Sequence, residues 1–283
     1  MTAPTIDGQL ICASKLAYAV PVTGDVPPYP PYDVGAGLRG PVKCFATGSS
    51  RVDAALVGTG NLGVVVAFRG TLPPTSPDRE QTLKDWMFDL EVALVQGDKL
   101  PGRVHHGFLN ALDALWPDVW GAVKDQLAKA DTKQLFITGH SKGGAVAHLA
   151  AARFAASNVV HGSDITVRTF EGAHPGDQAF ADAYARLVRD VIRYEYADDL
   201  VPHVPPSIMF RHLFKGEEFF EPLMAIDDKV DYAPVGKLQF IDWDGMVQNA
   251  STLLCAERLA HLAKLTFRAS KVSIDPNFRC GGR

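Results

Sequence analysis

The sequence predicts an α/β fold with a mostly parallel central sheet and helices on both faces. Apolar runs of strand length alternate with helical patterns, which is typical of chains that wind a parallel sheet. Residues 62–69 are almost continuously apolar, as a strand covered on both faces should be. Residues 134–154 read as a buried strand, a glycine-rich turn and a helix of small residues.

The first half of the chain supplies most of the expected elements. Residues 8–20 predict a short helix, and residues 21–40 a loop rich in proline and glycine. Apolar residues at helical spacing follow at Leu83, Trp86, Met87, Leu90 and Leu94, which indicates a helix with one apolar face. The remaining expected elements are strands at 42–47, 52–57 and 62–69, a helix at 108–128, and the strand and helix of residues 134–154.

Predicted strands and helices continue to alternate in the second half of the chain. We expect strands at 165–170 and 191–196 around a helix at 177–188, then strands at 218–223 and 237–243 and a helix near 246–264. No linker, repeat or low-complexity block interrupts the pattern. We therefore expect one domain over residues 1–283.

Composition excludes several classes of function. The chain has 28 Lys and Arg against 32 Asp and Glu, so a nucleic-acid partner is not indicated. No apolar run approaches the roughly 20 residues of a membrane-spanning helix. The amino terminus lacks the pattern of a secretory signal, so we expect a cytoplasmic protein, or a secreted one whose leader is absent from this chain. The oligomeric state stays open.

Cysteine spacing argues against a metal site. Cys12, Cys44, Cys255 and Cys280 are widely scattered, without a C-x-x-C pair, and we expect no metal and no cofactor. Free buried thiols are the default expectation. A bridge from Cys12 to Cys280 is the one pairing that merits a test.

Residues 139–143 read G-H-S-K-G, the G-x-S-x-G pattern that exposes a serine hydroxyl at a sharp strand-to-helix turn. Gly139 and Gly143 are needed there because a Cβ at either position would crowd the neighbouring backbone. The following helix directs unpaired N–H groups at the place where an oxyanion would form. Ser141 is therefore a candidate nucleophile. A glycine-rich turn without chemistry is the alternative.

A serine nucleophile needs a base and a carboxylate that orients the base, here expected in the chain order Ser, acid, His. Asp198 and Asp199 follow the strand at 191–196 and precede a proline-stiffened loop, although both could be ordinary turn residues. Three histidines lie downstream. His203 is too near Asp199 in the chain to reach a separate turn, and His212 lies in an apolar segment, so His261 is the favoured base.

Two further features concern the surroundings of the serine. The oxyanion needs two donors, and we expect the N–H of Lys142 and a group of Thr71, which follows Gly70 at the end of the strand at 62–69. A plain glycine–threonine loop is the alternative. His105 and His106 precede Ser141, which is the wrong order for the base, and we expect them to hold a turn before Gly107.

Five segments together resemble the class 3 lipases, the family of the fungal triacylglycerol lipases. They read VAFRGT at 66–71, DWMFDL at 85–90, VHHGF at 104–108, TGHSKGG at 138–144 and DLVPHVPP at 199–206. The resemblance implies an α/β-hydrolase fold and a triad of Ser141, Asp199 and His261, with Asp199 preferred to Asp198 and His212 in a structural stretch. It also implies a helical lid over residues 72–90, with an ordinary surface helix packed permanently on the core as the alternative.

Three departures from the family pattern stand out. Lys142 replaces the usual leucine, residues 169–177 only approximate the family's G-x-P-R-x-G turn, and His261 lacks the family's frequent acidic neighbour and following tyrosine. Lys142 could alter the substrate preference or simply face away from the site.

The resemblance implies a carboxylic ester hydrolase, most simply a lipase that cleaves acylglycerols or other fatty-acid esters at a lipid–water interface. An esterase for short or aromatic acyl groups, similar to feruloyl esterases, is the second hypothesis. A non-catalytic lipid-binding protein on the same fold is the third.

Overall fold

An eight-stranded sheet forms the centre of the molecule in the computed structural model, which describes residues 5–21, 35–47, 52–72, 93–157, 159–213, 215, 229–254 and 257–258. The predicted lid beyond Leu72, the predicted strand at 218–223 and the candidate base His261 lie outside these residues. The strands of the large sheet are β1 (Leu38–Thr47), β2 (Asp53–Gly60), β3 (Val64–Phe68), β6 (Leu135–His140), β7 (Ile165–Phe170), β9 (Asp190–Tyr196), β11 (Lys237–Ile241) and β12 (Val247–Asn249).

Four further strands, of two residues each, form a small antiparallel sheet. They are β4 (Leu94–Val95), β5 (Val104–His105), β8 (Gly176–Asp177) and β10 (Tyr232–Ala233). Their order across the sheet is β10-β8-β5-β4. The sequence did not predict them, because two residues are too few to show an alternating pattern. The expectation of a helix is wrong at Leu94, which lies in β4 and pairs with His105.

The large sheet has the order β1-β2-β3-β6-β7-β9-β11-β12. Its five inner strands, β3, β6, β7, β9 and β11, pair in parallel, whereas β1, β2 and β12 add antiparallel edges. The predicted α/β architecture with a mostly parallel sheet is thus confirmed. Parallel inner strands bring their carboxyl ends to one edge, where the loops after β3, β6, β7 and β9 meet.

Helices cover the sheet. The described α-helices of six or more residues are α1 (Ile6–Leu16), α2 (His106–Lys129), α3 (Lys142–Ala156), α4 (Gln178–Leu187) and α5 (Ile208–Leu213). Val64, Val66 and Phe68 of β3 share a buried cluster with α2 and α3, whereas Val65 and Ala67 share another with α1. Alternate side chains of β3 therefore enter cores on opposite faces of the sheet, which explains its unbroken apolar run.

The predicted helix near 246–264 is wrong at its start. Residues Val247–Asn249 form β12, which pairs antiparallel with β11. The chain reverses at Gly245, whose φ of +80° favours glycine, and Asp242 accepts the backbone N–H groups of Asp244 and Met246. All three residues of β12 are exposed, so no alternation of apolar and polar residues marked it as a strand.

One of the two described cysteines is disulfide-bonded, which differs from the default expectation. Cys12 on α1 is disulfide-bonded, to a partner outside the described residues, whereas Cys44 on β1 is a free thiol. The expectation of a free buried thiol is therefore wrong for Cys12, and Cys44 is free but only half-buried. Cys255 and Cys280 both lie outside the described part of the chain, so the pairing with Cys280 stays a prediction.

No described helix is both long enough and apolar enough to cross a lipid bilayer.

That residues 1–283 form one domain remains a prediction.

Candidate active site

Ser141 occupies the sharp turn between β6 and α3. Its φ of 56° and ψ of −129° lie in a region that residues with a side chain rarely adopt. The Ser141 N–H donates to the carbonyl of Phe170 at 3.0 Å, and its carbonyl accepts from Gly144 at 2.9 Å. Such strain persists only where the surroundings enforce it, and it is common at functional sites.

Two glycines make this turn possible, as the sequence predicted. A Cβ on Gly139 would lie 2.1 Å from the carbonyl oxygen of Gly143, and a Cβ on Gly143 would lie 2.3 Å from that of Phe68. Both obstacles are backbone atoms, so neither can rotate aside. The close approach of α3 to β6 and β3 therefore depends on the missing side chains.

Replacing Gly143 with alanine should destabilise the protein, because the new Cβ would force the end of β3 and the start of α3 apart. We expect a loss of about 1–3 kcal/mol in the free energy of unfolding, measured by chemical denaturation. Gly121→Ala is the matched control, since a Cβ there meets no atom within 4 Å and alanine suits the middle of α2. Equal stability of the two variants would contradict the expectation.

Gly70 brings the end of β3 against the nucleophile. A Cβ on Gly70 would lie 2.6 Å from the carbonyl oxygen of His140 and 3.1 Å from Cβ of Ser141. The next residue, Thr71, is exposed beside this contact. This is the position expected for an oxyanion donor, and the N–H of Lys142, the first residue of α3, is the second candidate.

The Lys142 side chain forms a structural ion pair. Its Nζ lies 2.7 Å from Oδ1 of Asp53 at the start of β2. This contact favours the second of the two roles considered for Lys142, in which the ammonium group does not meet the substrate. Its backbone N–H, at the first position of α3, is still the candidate donor to the oxyanion.

Tyr18 is a residue near the serine that sequence reasoning missed. Its hydroxyl lies 2.7 Å from Nδ1 of His140 and hydrogen-bonds the backbone of Gly70. Burial lowers the pKa of His140 to about 4, so the ring is neutral at physiological pH. Tyr18 thereby ties the residue before the nucleophile to the candidate oxyanion loop. No local signal marks it, because it lies 122 positions from His140.

The two candidate acids have different surroundings. Asp199 is only 3% exposed in the turn after β9, and its Oδ1 accepts the N–H of Val201 at 2.9 Å. Its Oδ2 is buried and meets no donor among the described residues. Asp198 instead accepts from Nε1 of Trp243 at 2.9 Å. Asp199 is therefore the more deeply buried of the two candidate acids, and its Oδ2 can accept from an imidazole.

Burial raises the pKa of Asp199 to about 6, although the N–H of Val201 acts in the opposite direction. An imidazolium beside it would favour the ionised form further. Asp199 can therefore serve as an ionised orienting group at neutral pH.

The buried and half-buried histidines that the structure describes already have structural partners. His105 is the N-cap of α2 and accepts the N–H of Phe108, which agrees with its predicted role in a turn. His203 lies 3.2 Å from Nη2 of Arg258, and burial followed by this cation lowers its pKa to about 3. His148 contacts Tyr184.

Two other histidines lie in structural or exposed positions. His174 hydrogen-bonds the carbonyl of Pro205 at 2.8 Å, and His212 is exposed on α5. Neither observation supports a catalytic role for these rings. His261 lies outside the described residues, so its assignment as the base stays a prediction.

A buried group of charges lies next to Asp199. Oε1 of Glu195 is 2.6 Å from Nε of Arg193, and its Oε2 is 2.6 Å from Nη2 of Arg258. Burial acts to raise the pKa of Glu195, but the two arginines outweigh it and lower the pKa to about 2. Glu171 also faces Asp199 and this group. The contact between Glu195 and Arg258 and the one between Glu171 and Asp199 could not be inferred from the sequence.

The fold and the serine turn together define a protein of the α/β-hydrolase class. The family model described as Lipase (class 3) matches residues 65–209, just over half of the chain. The chain belongs to the class 3 lipase family. The resemblance found in the five sequence segments is thus confirmed.

Curated relatives are similar over part of their length. A lipase of Rhizomucor miehei is 28% identical over 159 residues, which cover 56% of this chain and 41% of the relative. A secreted mono- and diacylglycerol lipase of Fusarium solani is 28% identical over 151 residues, which cover 53% of this chain and 41% of the relative. The matched residues thus span less than half of each relative.

Solved structures share the fold. The triacylglyceride lipase of Rhizomucor miehei superposes with a TM-score of 0.57 and 22% identity over 72% of this chain and 67% of that one. A point variant of the protein MDLA from Penicillium cyclopium gives a TM-score of 0.60 and 19% identity, over 85% of this chain and 83% of that one.

Proposed function

We propose that this protein is a carboxylic ester hydrolase, a lipase that cleaves acylglycerols or similar fatty-acid esters. The observation that carries the proposal is the backbone of Ser141, held at positive φ at the start of α3 with Gly70 packed against it. This arrangement presents a hydroxyl beside two candidate oxyanion donors. The curated relatives named as lipases support the choice of substrate.

The proposed reaction proceeds through an acyl-enzyme. Oγ of Ser141 attacks the ester carbonyl while His261, oriented by Asp199, takes the hydroxyl proton. The N–H groups of Thr71 and Lys142 bind the negative oxygen of the tetrahedral intermediate. The intermediate collapses, the imidazolium protonates the leaving alcohol, and the acyl group remains on Ser141. Water then attacks by the same steps and releases the acid.

Arg258 supports His261 as the base. It is buried, is paired with Glu195, and lies in the group of charges next to Asp199. Three residues of chain span at most about 11 Å, so the backbone of residue 261 is held within that distance of residue 258. This covalent limit is compatible with a contact between His261 and Asp199 and supports the choice of His261 as the proposed base.

Replacing Arg258 with methionine should lower both stability and turnover, because Glu195 loses one of its two buried partners and the segment before His261 loses its anchor. Breaking a buried ion pair costs about 3–5 kcal/mol. Thermal unfolding and kcat measure the two effects. The matched control is Arg186→Met on the exposed face of α4, which should change neither. A wild-type kcat in the Arg258 variant would remove this support for His261.

A chain-length series of p-nitrophenyl esters, with and without an oil–water interface, tests the substrate class. We expect a maximum at long acyl chains and activation by the interface. A maximum at short or feruloyl esters would contradict the fatty-ester proposal and leave the serine mechanism standing. A folded protein that hydrolyses no ester, and whose Ser141 resists a fluorophosphonate, would be a lipid-binding protein instead.

We propose residues 72–90 as the lid over this site. Leu83, Trp86, Met87 and Leu90 would face the groove in water and a lipid surface when the lid opens. Transfer of three or four such side chains is worth several kcal/mol, on the order of the bias needed to shift a two-state equilibrium. Replacing Trp86 with serine should weaken activation by the interface, and an unchanged activation would contradict the assignment.

The disulfide of Cys12 supports a site of action in an oxidising compartment, since such bonds rarely persist in the cytosol. We therefore prefer the secreted to the cytoplasmic alternative. Peptide mapping of the protein from its native source, alkylated without reduction, tests this choice. Recovery of Cys12 as an alkylated thiol would contradict it.

A further inference from the structure

Glu171 stands at a position that suits glycine. It follows β7 directly, its φ is +50°, and its N–H donates to the carbonyl of Tyr194 at 2.9 Å. A left-handed backbone is costly for a residue with a side chain, and a buried carboxyl group adds a second cost. The side chain is only 7% exposed. Two unfavourable features at one residue, beside a candidate catalytic acid, call for a functional explanation.

The carboxyl group of Glu171 meets that of Asp199 within hydrogen-bonding distance. Oε2 of Glu171 and Oδ2 of Asp199 are both buried and have no donor among the described groups. Two ionised carboxylates would only repel each other in this position. One shared proton turns the repulsion into a hydrogen bond and satisfies both oxygens.

The surroundings decide which residue carries the proton. Glu171 faces Asp199, Glu195 and Arg258, and burial, with the charge of Asp199 added, raises its pKa well above the ordinary value. Asp199 is better stabilised as an anion, because the backbone of Val201 and Leu200 donates to it.

Charge balance agrees with this assignment. Arg193 and Arg258 bring two positive charges, which ionised Glu195 and Asp199 match. His174 and His203 also border this group, and burial holds their pKa values at about 4 and 3, so both rings are neutral. A neutral Glu171 therefore leaves the whole group uncharged.

We propose that Glu171 is a positioning residue that acts through Asp199: its protonated carboxyl group donates a hydrogen bond to the Asp199 carboxylate and fixes the rotamer in which Asp199 orients the catalytic imidazole. The proposal rests on the proposed ester hydrolysis. A carboxylate has about four acceptor sites, so Asp199 can accept from Val201, Glu171 and the imidazole together.

Turnover should depend on pH through the shared proton. Below the pKa of Glu171 this proton is present and Asp199 is held in place. Above it, two buried carboxylates face each other, and Asp199 is displaced from the imidazole. The wild-type enzyme should therefore lose kcat as the pH rises through the pKa of Glu171, in addition to any loss from other groups.

Two variants of matched size test the role. Glu171→Gln keeps a donor that cannot titrate, and Glu171→Leu removes it. Hydrolysis of tributyrin is followed by pH-stat titration from pH 6 to 10, KM is measured with p-nitrophenyl butyrate, and thermal unfolding checks the fold. At neutral pH we expect the glutamine variant to keep kcat within about threefold and the leucine variant to lose about tenfold or more, with KM unchanged in both. The glutamine variant should also lack the loss of kcat with rising pH that is assigned to Glu171.

An infrared measurement tests the shared proton without activity. At neutral pH the wild-type protein should show the carbonyl stretch of a buried protonated carboxyl group, and both variants should lack it. Persistence of the band in the variants, or a wild-type kcat and pH profile in Glu171→Leu, would overturn the proposal, as would equal losses in both variants. A wild-type protein that hydrolyses no ester overturns the proposed function and the positioning role together, while the band still tests the proton.

Discussion

Replacing Ser141 with alanine should lower ester hydrolysis by about 10³–10⁶-fold and leave the fold intact. The hydroxyl is the atom that forms the acyl bond, so its removal leaves only catalysis by the oxyanion donors and by binding. Stability should hardly change, because the Ser141 side chain makes no capping hydrogen bond to α3. Steady-state kcat/KM and thermal unfolding measure the two effects.

Ser157→Ala provides the control for this variant. Ser157 ends the same helix, and its hydroxyl donates to the carbonyl of Phe154 at 2.6 Å. We expect a small loss of stability and wild-type kinetics. A fluorophosphonate should label the wild-type protein and Ser157→Ala but not Ser141→Ala. If Ser141→Ala retained a tenth or more of the wild-type rate, Ser141 would not be the nucleophile.

Replacing His261 with alanine should cost as much as replacing Ser141, because nucleophile and base act as one unit. Without the imidazole the Ser141 hydroxyl keeps its proton. Removal of the second residue of the pair therefore adds little to the loss of kcat. The double variant Ser141→Ala/His261→Ala should therefore be about as slow as either single variant. kcat of the three proteins on one soluble ester measures this non-additivity.

His212→Ala is the matched control for the base. His212 is the exposed downstream histidine on α5, and its loss should leave kcat unchanged. A near-native rate in His261→Ala would refute the base assignment while the serine turn and the family membership stand. His203→Ala would then be the next test, with stability measured beside activity because His203 contacts Arg258.

The elements that could be predicted are those with a repeating local pattern. The unbroken apolar run of β3, the strand before Ser141 and the amphipathic α2 all lie within a few residues of their expected bounds. Residues 139–143 predicted the serine turn because its constraints are local. Gly139 cannot carry a side chain, since a Cβ there would meet the backbone of Gly143, four positions along the chain. Asp199 followed from the family pattern, and its burial now supports the choice over Asp198.

Other features left no local trace. The strands of the small sheet are too short for a period, and the exposed strand β12 shows no alternation. Glu171 looked like one poorly matching position in a family turn. The role proposed for Glu171 depends on its contact with Asp199. Asp199 lies on the loop after another strand and reaches Glu171 only because β7 and β9 are neighbours.

Periodicity and turn chemistry act between residues a few positions apart, so a linear string was enough to reveal the α/β class, the serine turn and a short set of candidate acids and bases. Folding was needed to bring Tyr18 to His140, Lys142 to Asp53 and Arg258 to Glu195. Such pairs form because parallel strands align their loops at one edge of the sheet. Burial, backbone donors and neighbouring charges there then shift the pKa of each carboxyl group in different directions.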